Sequence, residues 1–261
     1  MFMPVRGSCN LILSIFGVLF LWAYTAGAAD VPTNRVERIY REARMNRDIP
    51  GTNSVEALWK FARACFDWAE LAKTDGSRAQ IAEEGIAAAR EAIRRKYGSA
   101  PAHYYLALDL GQLARTKSLG ALKLVREMEV EFKQAIVLDE KFDYAGAHRS
   151  LGLLYKDAPG WPTSIGSRAK ARLHLRRANQ LAPEYPDNRL SLAEAYVEWG
   201  EPKTINDDMP SLEESLNDAK KKFTGEEWEA SWHDWDVRFD RVKAKMTKPS
   251  DRAVTPRGKT K

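Results

Sequence analysis

The residue types that most often carry catalysis or hold metals are thinly spread along this chain. Its four histidines lie in separate segments, at His103, His148, His174 and His233. None has a Cys or a second His at the spacing of a metal-ligand pair. Glu229 and His233 share one helix face, but an isolated pair of this kind is more typical of a surface contact. The sequence therefore predicts no metal site.

The sequence evidence for a catalytic nucleophile or a phosphate-binding loop is equally weak. Gly258-Lys-Thr260 looks like the end of a phosphate-binding loop, but Ala253 occupies the position of the first glycine and no strand precedes it. Cys65 has no neighbouring base to activate it, and no serine stands in a Gly-x-Ser-x-Gly setting. We therefore expect a protein that is not an enzyme and has no cofactor.

The pattern that organises the chain is a helix-pair signature in residues 148–183. Small residues such as Gly152 and Ala178 let two helices approach closely, while Leu151 and Leu175 fill the seam between them. This is the spacing of a tetratricopeptide repeat (TPR). One such pair cannot bury its apolar face alone, so it needs stacked neighbours.

The same pattern returns on both sides of this segment. After it come Leu192, Ala193, Tyr196, Gly200, Leu212, Leu216 and Ala219; before it come Tyr104, Ala107, Gly111, Met128, Phe132 and Ala135, and a weaker unit contains Leu58, Phe61, Ala62, Cys65, Gly85, Ala89 and Ala92. The expected fold is all-α, a TPR-like α-solenoid of antiparallel helix pairs. Since Tyr155 and Ala171 are 16 positions apart, we expect an insertion inside each pair. Cys65 is expected to be buried as a small apolar residue.

A C-terminal helix, 225–246, is expected to cap this solenoid. Trp228, Trp232, Trp235 and Phe239 recur at spacings of four, three and four, which places them on one helix face. A terminal repeat must be covered, so this aromatic face predicts a cap. The alternative is an aromatic binding surface, and the two roles are compatible.

The two ends of the chain differ from its centre. Arg6, the apolar run from Leu11 to Ala23 and the small residues before Ala29 indicate a signal peptide, residues 1–28. We expect a periplasmic or secreted protein; the alternative is an N-terminal membrane anchor. Segment 29–53 is expected to hold a short helix, 54–224 the repeats and 247–261 a disordered basic tail.

The excess positive charge of the chain is concentrated at its C-terminus. Residues 241–261 carry a net charge of +7, which leaves residues 29–240 at −3. The tail predicts either a solubilising end or a weak contact with an anionic membrane surface or an acidic partner. A nucleic-acid partner would conflict with export.

A helical solenoid offers a concave face, formed by the first helix of each pair, as a binding surface. Counting from the seam, we expect its candidate binding residues to be Tyr105, Asp109, Gln112, Arg149, Lys156 and Glu194, joined by Trp161 in the loop of residues 157–166. Each could equally be a solvated polar residue. Arg149 is the candidate for a fixed cation that meets a carboxylate, or for a salt bridge to a neighbouring repeat.

Three segments carry a family resemblance: Leu110–Lys117, Ala147–Gly152 and Ala158–Gly166. They resemble exported bacterial TPR proteins of the TRAP transporter T-component family, and the resemblance covers roughly Ser54 to Gly200. It implies a helical solenoid that binds a periplasmic solute-binding partner, with an apolar cleft or pore for a hydrophobic organic acid. The central region is more distantly similar to eukaryotic regulator-of-microtubule-dynamics proteins.

Two functions follow as hypotheses. The first is a non-catalytic adaptor that holds another exported protein on its concave face. The second is a carrier that encloses a small hydrophobic acid. Homo-oligomerisation is left open, and lipidation is not expected because Cys9 precedes the apolar run.

Overall fold

The structure, a computed structural model, describes residues 31–48, 54–117, 119–205 and 212–246. The expected signal peptide and basic tail lie outside the described residues. Ten helices are described: α1 (Val31–Asp48), α2 (Val55–Glu70), α3 (Asp75–Arg95), α4 (Ala100–Arg115), α5 (Ala121–Leu138), α6 (Phe142–Asp157), α7 (Arg168–Leu181), α8 (Pro186–Glu198), α9 (Leu212–Lys222) and α10 (Glu226–Met246). The predicted all-α helical-repeat fold is confirmed.

Local sequence signals set where several helices begin. The side chains of Ser54, Thr74 and Ser167 accept hydrogen bonds from backbone N–H groups in the first turns of α2, α3 and α7. Each bond satisfies a donor that has no partner within the helix. Pro101 and Pro186 lie in the first turns of α4 and α8, where their missing N–H groups cost no helical hydrogen bond.

Consecutive helices pack as pairs, α2 with α3, α4 with α5 and α6 with α7. The close approach predicted at Gly152 is present, since a Cβ there would lie 2.7 Å from Cγ of Leu175. Cys65 is fully buried, as expected. The apolar core forms two clusters, one running from Tyr40 in α1 to the start of α7, and the other joining the end of α7 to α8, α9 and α10.

The expectation of an insertion inside each helix pair is wrong for two pairs. Residues 71–74 join α2 to α3, and residues 116–120 join α4 to α5. The additional residues lengthen the helices instead. The links are long between α6 and α7, residues 158–167, and between α8 and α9, residues 199–211. The first of these is ordered by hydrogen bonds from Gly166 N to Pro159 O and from Ser167 N to Tyr155 O, each 2.9 Å.

The start of α6 departs from regular helix geometry. Asp143, Tyr144 and Ala145 have φ angles of 53°, 55° and 60°, in the left-handed region. This conformation costs an L-residue about 1–2 kcal/mol. It is compensated by packing, because Gly146 leaves room for the hydroxyl of Tyr104, which would lie 2.5 Å from a Cβ at that position.

The tryptophan-bearing helix α10 covers the end of the repeats, as predicted. Trp235 is buried, and Trp228, Trp232 and Phe239 pack against the second core cluster. The indole N–H of Trp232 donates to the carbonyl of Phe223 at 2.7 Å. At the opposite end, Tyr40 of α1 stacks on Phe61, with ring centroids 5.9 Å apart. Within the described ranges, no helix combines the length and the apolar character needed to cross a membrane.

Candidate binding groove

A large groove runs along the face formed mainly by the first helices of the pairs. Its volume is about 810 Å³, which lies within the range of sites that bind ligands. Its lining extends from Val36 in α1 to Trp235 in α10. The apolar part of the lining includes Phe66, Leu108, Met128, Phe132, Leu154 and Trp235. The groove therefore spans most of the array.

Aromatic side chains build the wall next to α4. The ring of Tyr105 stacks on Trp59, with centroids 6.0 Å apart and planes 3° from parallel. Phe142 meets Tyr105 and Tyr104 edge-on, at 6.2 and 5.7 Å. The hydroxyl of Tyr104 donates to Asp143 at 2.9 Å. The left-handed turn thus places the Asp143 carboxylate beside the aromatic wall.

Arg149 is the central cation of the groove. It is 7% exposed, and its Nη1 donates to Oδ1 of Asn188 at 2.9 Å. The carboxylates of Asp187 and Asp143 lie 3.4 and 3.8 Å away, and its guanidinium lies 5.1 Å from the ring centroid of Tyr185. Burial alone would lower the pKa of Arg149, but these neighbours outweigh it and raise the pKa. Arg149 is therefore charged.

A second cation, largely but not fully buried, attaches the capping helix to the array. Arg238 of α10 pairs with Asp187 at 2.6 Å and with Glu194 at 2.9 Å, and it contacts Asp234 of its own helix at 3.2 Å. Burial alone would raise the pKa of Asp187, but the charges of Arg238 and Arg149 lower it below its ordinary value. The ionised Asp187 of α8 thus connects this helix to Arg149 of α6 and to Arg238 of α10.

Acidic side chains outnumber basic ones around the groove. The charged lining residues are Asp67, Glu70, Asp143, Asp187, Glu227 and Asp234 on the acidic side and Arg63, Arg115 and Arg149 on the basic side. Burial raises the pKa of Asp67 to about 6, against the opposing effect of Arg63. At neutral pH these carboxyl groups give the lining a net negative charge.

Two of the predicted site residues, Tyr105 and Arg149, line the groove. Asp109 does not. It is completely buried and packs against Gly85, where a Cβ would lie 2.3 Å from its Oδ2. Its carboxylate oxygens have no hydrogen-bond partner among the described residues, and burial raises its pKa well above the ordinary value. The expectation that Asp109 faces the groove is therefore wrong.

Gln112 is also turned into the seam. It is buried, and its side-chain amide donates to Glu70 of α2, which also accepts from Arg115 at 3.1 Å. The groove positions of α4 are Tyr104, Tyr105, Leu108, Gly111, Ala114 and Arg115. The predicted positions Asp109 and Gln112 are therefore about one residue out of register with the groove.

The remaining predicted residues lie outside the groove lining. Lys156 pairs with Asp157 at 2.8 Å and with Glu198 at 2.7 Å, which links α6 to α8. Glu194 binds Arg238, as described above. Trp161 is 89% exposed in the link between α6 and α7. Lys156 and Glu194 make contacts between helices, and Trp161 is a surface side chain.

Asp143, Asp187 and Arg238 were missed by the sequence reasoning. They meet around Arg149 although 44 and 51 residues separate them along the chain. No spacing of residues within one segment of the sequence predicts such a cluster. The tryptophan stripe of α10 was the available signal, because Trp228 and Trp235 form part of the groove wall.

Two histidines do come together away from the groove. Nδ1 of His148 lies 2.9 Å from Nδ1 of His174. Burial, together with the neighbouring His148, Lys133 and Lys170, lowers the pKa of His174 to about 4. Within the described part of the chain, no three His, Cys, Asp or Glu side chains are grouped so as to hold a metal ion.

Comparison with known proteins gives one family. The model of the family described as Regulator of microtubule dynamics protein 1-3 matches residues 29–154, just under half of the 261 residues. No curated protein matches the chain. The family match begins before α1 and stops within α6, so it includes much of the groove but not the capping helix. Over this first half, the chain is similar to the Regulator of microtubule dynamics protein 1-3 family.

Proposed function

We propose that this chain is a non-catalytic binding protein that holds a segment of a partner protein in its groove. The observation that carries the proposal is the groove itself, which crosses successive helix pairs and offers both apolar walls and fixed charges. An extended segment of several residues fits such a surface, because apolar side chains can enter the wall while backbone and charged groups meet its polar side.

The charge of the groove limits which kinds of segment can bind in it. Three basic lining residues face six acidic ones, and Arg149 is already shared between Asp187 and Asp143. Arg238 also pairs with Asp187 and Asp234, and the acidic groups remain in excess when it is counted. A segment with Lys or Arg next to apolar residues complements this surface. A hydrophobic organic acid would instead add a carboxylate to an acidic site. The carrier hypothesis is thus the weaker alternative.

The finer assignments remain part of the proposal. A T-component-like role with a periplasmic solute-binding partner rests on the three segments quoted from the sequence. Periplasmic or secreted location, with a membrane anchor as alternative, rests on the apolar N-terminus. The family match over residues 29–154 supports a helical fold, and the microtubule role in that family's description is not proposed for this chain.

A peptide-binding experiment tests the groove. Fluorescent peptides that alternate Lys or Arg with Leu or Phe are titrated against the protein, beside peptides in which Glu replaces the basic residues. The cationic set is expected to bind more tightly. Glu227→Lys, which reverses one charge of the lining, should weaken cationic peptides about fivefold, as is typical of a charge at the rim of an interface.

The matched control is Glu229→Lys, which makes the same charge change on the same helix outside the groove lining. It should leave the affinity unchanged. Native mass spectrometry of freshly purified protein separates the carrier alternative, because a carrier would retain a small acid. Equal effects of the two variants, or preference for the Glu peptides, would exclude the proposed mode.

A further inference from the structure

The opposite side of the array carries a different surface, formed by the second helices α5 and α7. We name it the outer face and define it by a set of exposed or half-buried basic and aliphatic side chains on those two helices: Lys123, Arg126, Val130, Lys133 and Val137 on α5, and Arg168, Lys170, Arg172, Leu173, Arg176 and Arg177 on α7. The exposed positions of α7 also include Ala169 and the uncharged Gln180, and none of the exposed positions of the two helices is acidic. Since none lines the groove, the outer face is a separate candidate surface.

The arrangement on α5 separates charges by sign. Its exposed positions recur at spacings of three and four, which is one face of the helix. The acidic residues of α5 are turned to its flanks and are paired: Glu127 with Arg90, Glu129 with Lys133 and Glu131 with His103, each at 2.6 Å. The outward stripe is therefore positive although the helix as a whole is mixed.

The α7 helix has no acidic residue between Arg168 and Leu181. Three carboxylates reach the basic side chains of the outer face: Glu201 binds Arg168 and Arg172, Glu140 binds Arg177 at 2.8 Å, and Glu129 of α5 binds Lys133. The outer face has eight Lys or Arg side chains, so its basic groups outnumber these three carboxylates.

The two helices form one continuous surface. The ring of Tyr155 lies between them, with its hydroxyl donating to Glu129 of α5 at 2.6 Å and with Nζ of Lys170 of α7 5.0 Å from its centroid. A shallow depression of about 640 Å³ follows α7 and is lined by Arg172, Arg176 and Arg177 together with His148 and His174. Guanidinium groups grouped in this way suit the oxygens of a phosphodiester.

The aliphatic side chains identify the partner more closely than the charges do. Val130, Val137 and Leu173 are 61%, 79% and 65% exposed among the basic residues. We propose that the outer face docks on an anionic phospholipid surface, with the basic side chains at the phosphates and these aliphatic side chains in the interfacial region. Nucleic acid offers the same phosphates but no apolar layer for the aliphatic groups.

Vesicle partitioning tests this docking. Protein with its native N-terminus is mixed with phosphatidylcholine vesicles and with vesicles that also contain phosphatidylglycerol, and the ratio of the two partition coefficients is measured. The ratio removes any contribution that does not depend on lipid charge. We expect a ratio well above one that falls as salt is added, because screening weakens the attraction.

Two double variants test the charges. Arg126→Glu with Lys170→Glu should lower the ratio about thirtyfold, given the attraction that each basic side chain contributes near an anionic bilayer. Lys73→Glu with Lys117→Glu makes the same change in net charge at exposed positions outside the outer face, and it should leave most of the ratio intact. Equal losses in both variants would overturn the proposal.

A third variant separates lipid from other anionic partners. Val130→Ser with Leu173→Ser keeps every charge and should weaken binding to anionic vesicles about tenfold, through lost apolar burial. Met45→Ser with Val237→Ser, at exposed apolar positions on other helices, is the control. Tight binding of a DNA duplex that is unaffected by Val130→Ser with Leu173→Ser, together with absent vesicle binding, would refute the lipid assignment in favour of nucleic acid.

Discussion

The groove and the outer face belong to the same helix pairs but carry opposite charge. The groove lining has twice as many acidic as basic residues, whereas the outer face has eight basic side chains and no acidic one. The isoelectric point of the whole chain, about 9.1, does not reveal that the two surfaces differ in charge. A repeat protein can thus present two chemically distinct surfaces, because the first and second helices of each pair face different sides.

The two surfaces also differ in how their charges are satisfied. Arg149 in the groove is buried and surrounded by Asp143, Asp187 and Asn188, whereas Arg177 on the outer face is 43% exposed and meets Glu140. Buried ion pairs are costly to break because the remaining partner is left without compensation, while exposed pairs contribute little. The ion pairs of the groove are therefore expected to contribute more to stability than those of the outer face, which lie at the surface.

The largest expected effect follows from this contrast. Arg149→Met should lower the free energy of unfolding by about 3–5 kcal/mol, because Asp187 and Asp143 lose a buried cation. Arg177→Met, the matched change on the outer face, should cost less than about 1 kcal/mol. Urea denaturation of both variants measures the difference. Equal losses would show that the two surfaces do not differ in this way.

An intermediate effect is expected in the seam between the two surfaces, where Asp109 fills the space left by Gly85. Gly85→Ala should cost about 1–3 kcal/mol, since the added Cβ displaces the carboxyl group. Asp109→Ala should remove most of that cost by restoring the space. A double-mutant cycle in denaturant gives the coupling energy. An additive cycle would mean that the helices separate instead.

The smallest effect is a difference in pH dependence between two buried acids. The pKa of Asp109 is raised, so its contribution to stability is fully present below about pH 4, the unfolded value, and is lost as the pH rises toward its folded pKa. The pKa of Asp187 is lowered, so its contribution is present above about pH 4 and is lost as the pH falls through its folded pKa.

Stability measured from acid to neutral pH for the natural chain, Asp109→Asn and Asp187→Asn separates these contributions. As the pH rises, the natural chain should lose stability relative to Asp109→Asn and gain it relative to Asp187→Asn. Parallel curves for all three proteins would contradict the assignment of opposite environments to the two carboxyl groups.

The sequence predicts the fold better than it predicts the groove. Small and apolar residues at helical spacing, such as Gly152 and Leu175, identify a repeat because close helix packing requires them. Polar residues on α4 gave less guidance. That helix is buried on nearly every side, so the polar residues Asp109 and Gln112 do not mark its open face. Arg238 joins the site through the packing of α10, and although the tryptophan stripe predicts that helix, no spacing in the sequence places Arg238 beside Asp187.

Photo-crosslinking tests the central claim, that the groove holds a partner protein, most directly. A photoreactive residue is placed at Ser231 in the groove lining, at His233 outside that lining on the same helix, and at Leu173 on the outer face. In cells, Ser231 should capture a protein, with the crosslink mapped to a segment rich in Lys or Arg and apolar residues, while His233 should not. Capture at Ser231 that does not exceed capture at His233 would contradict the account.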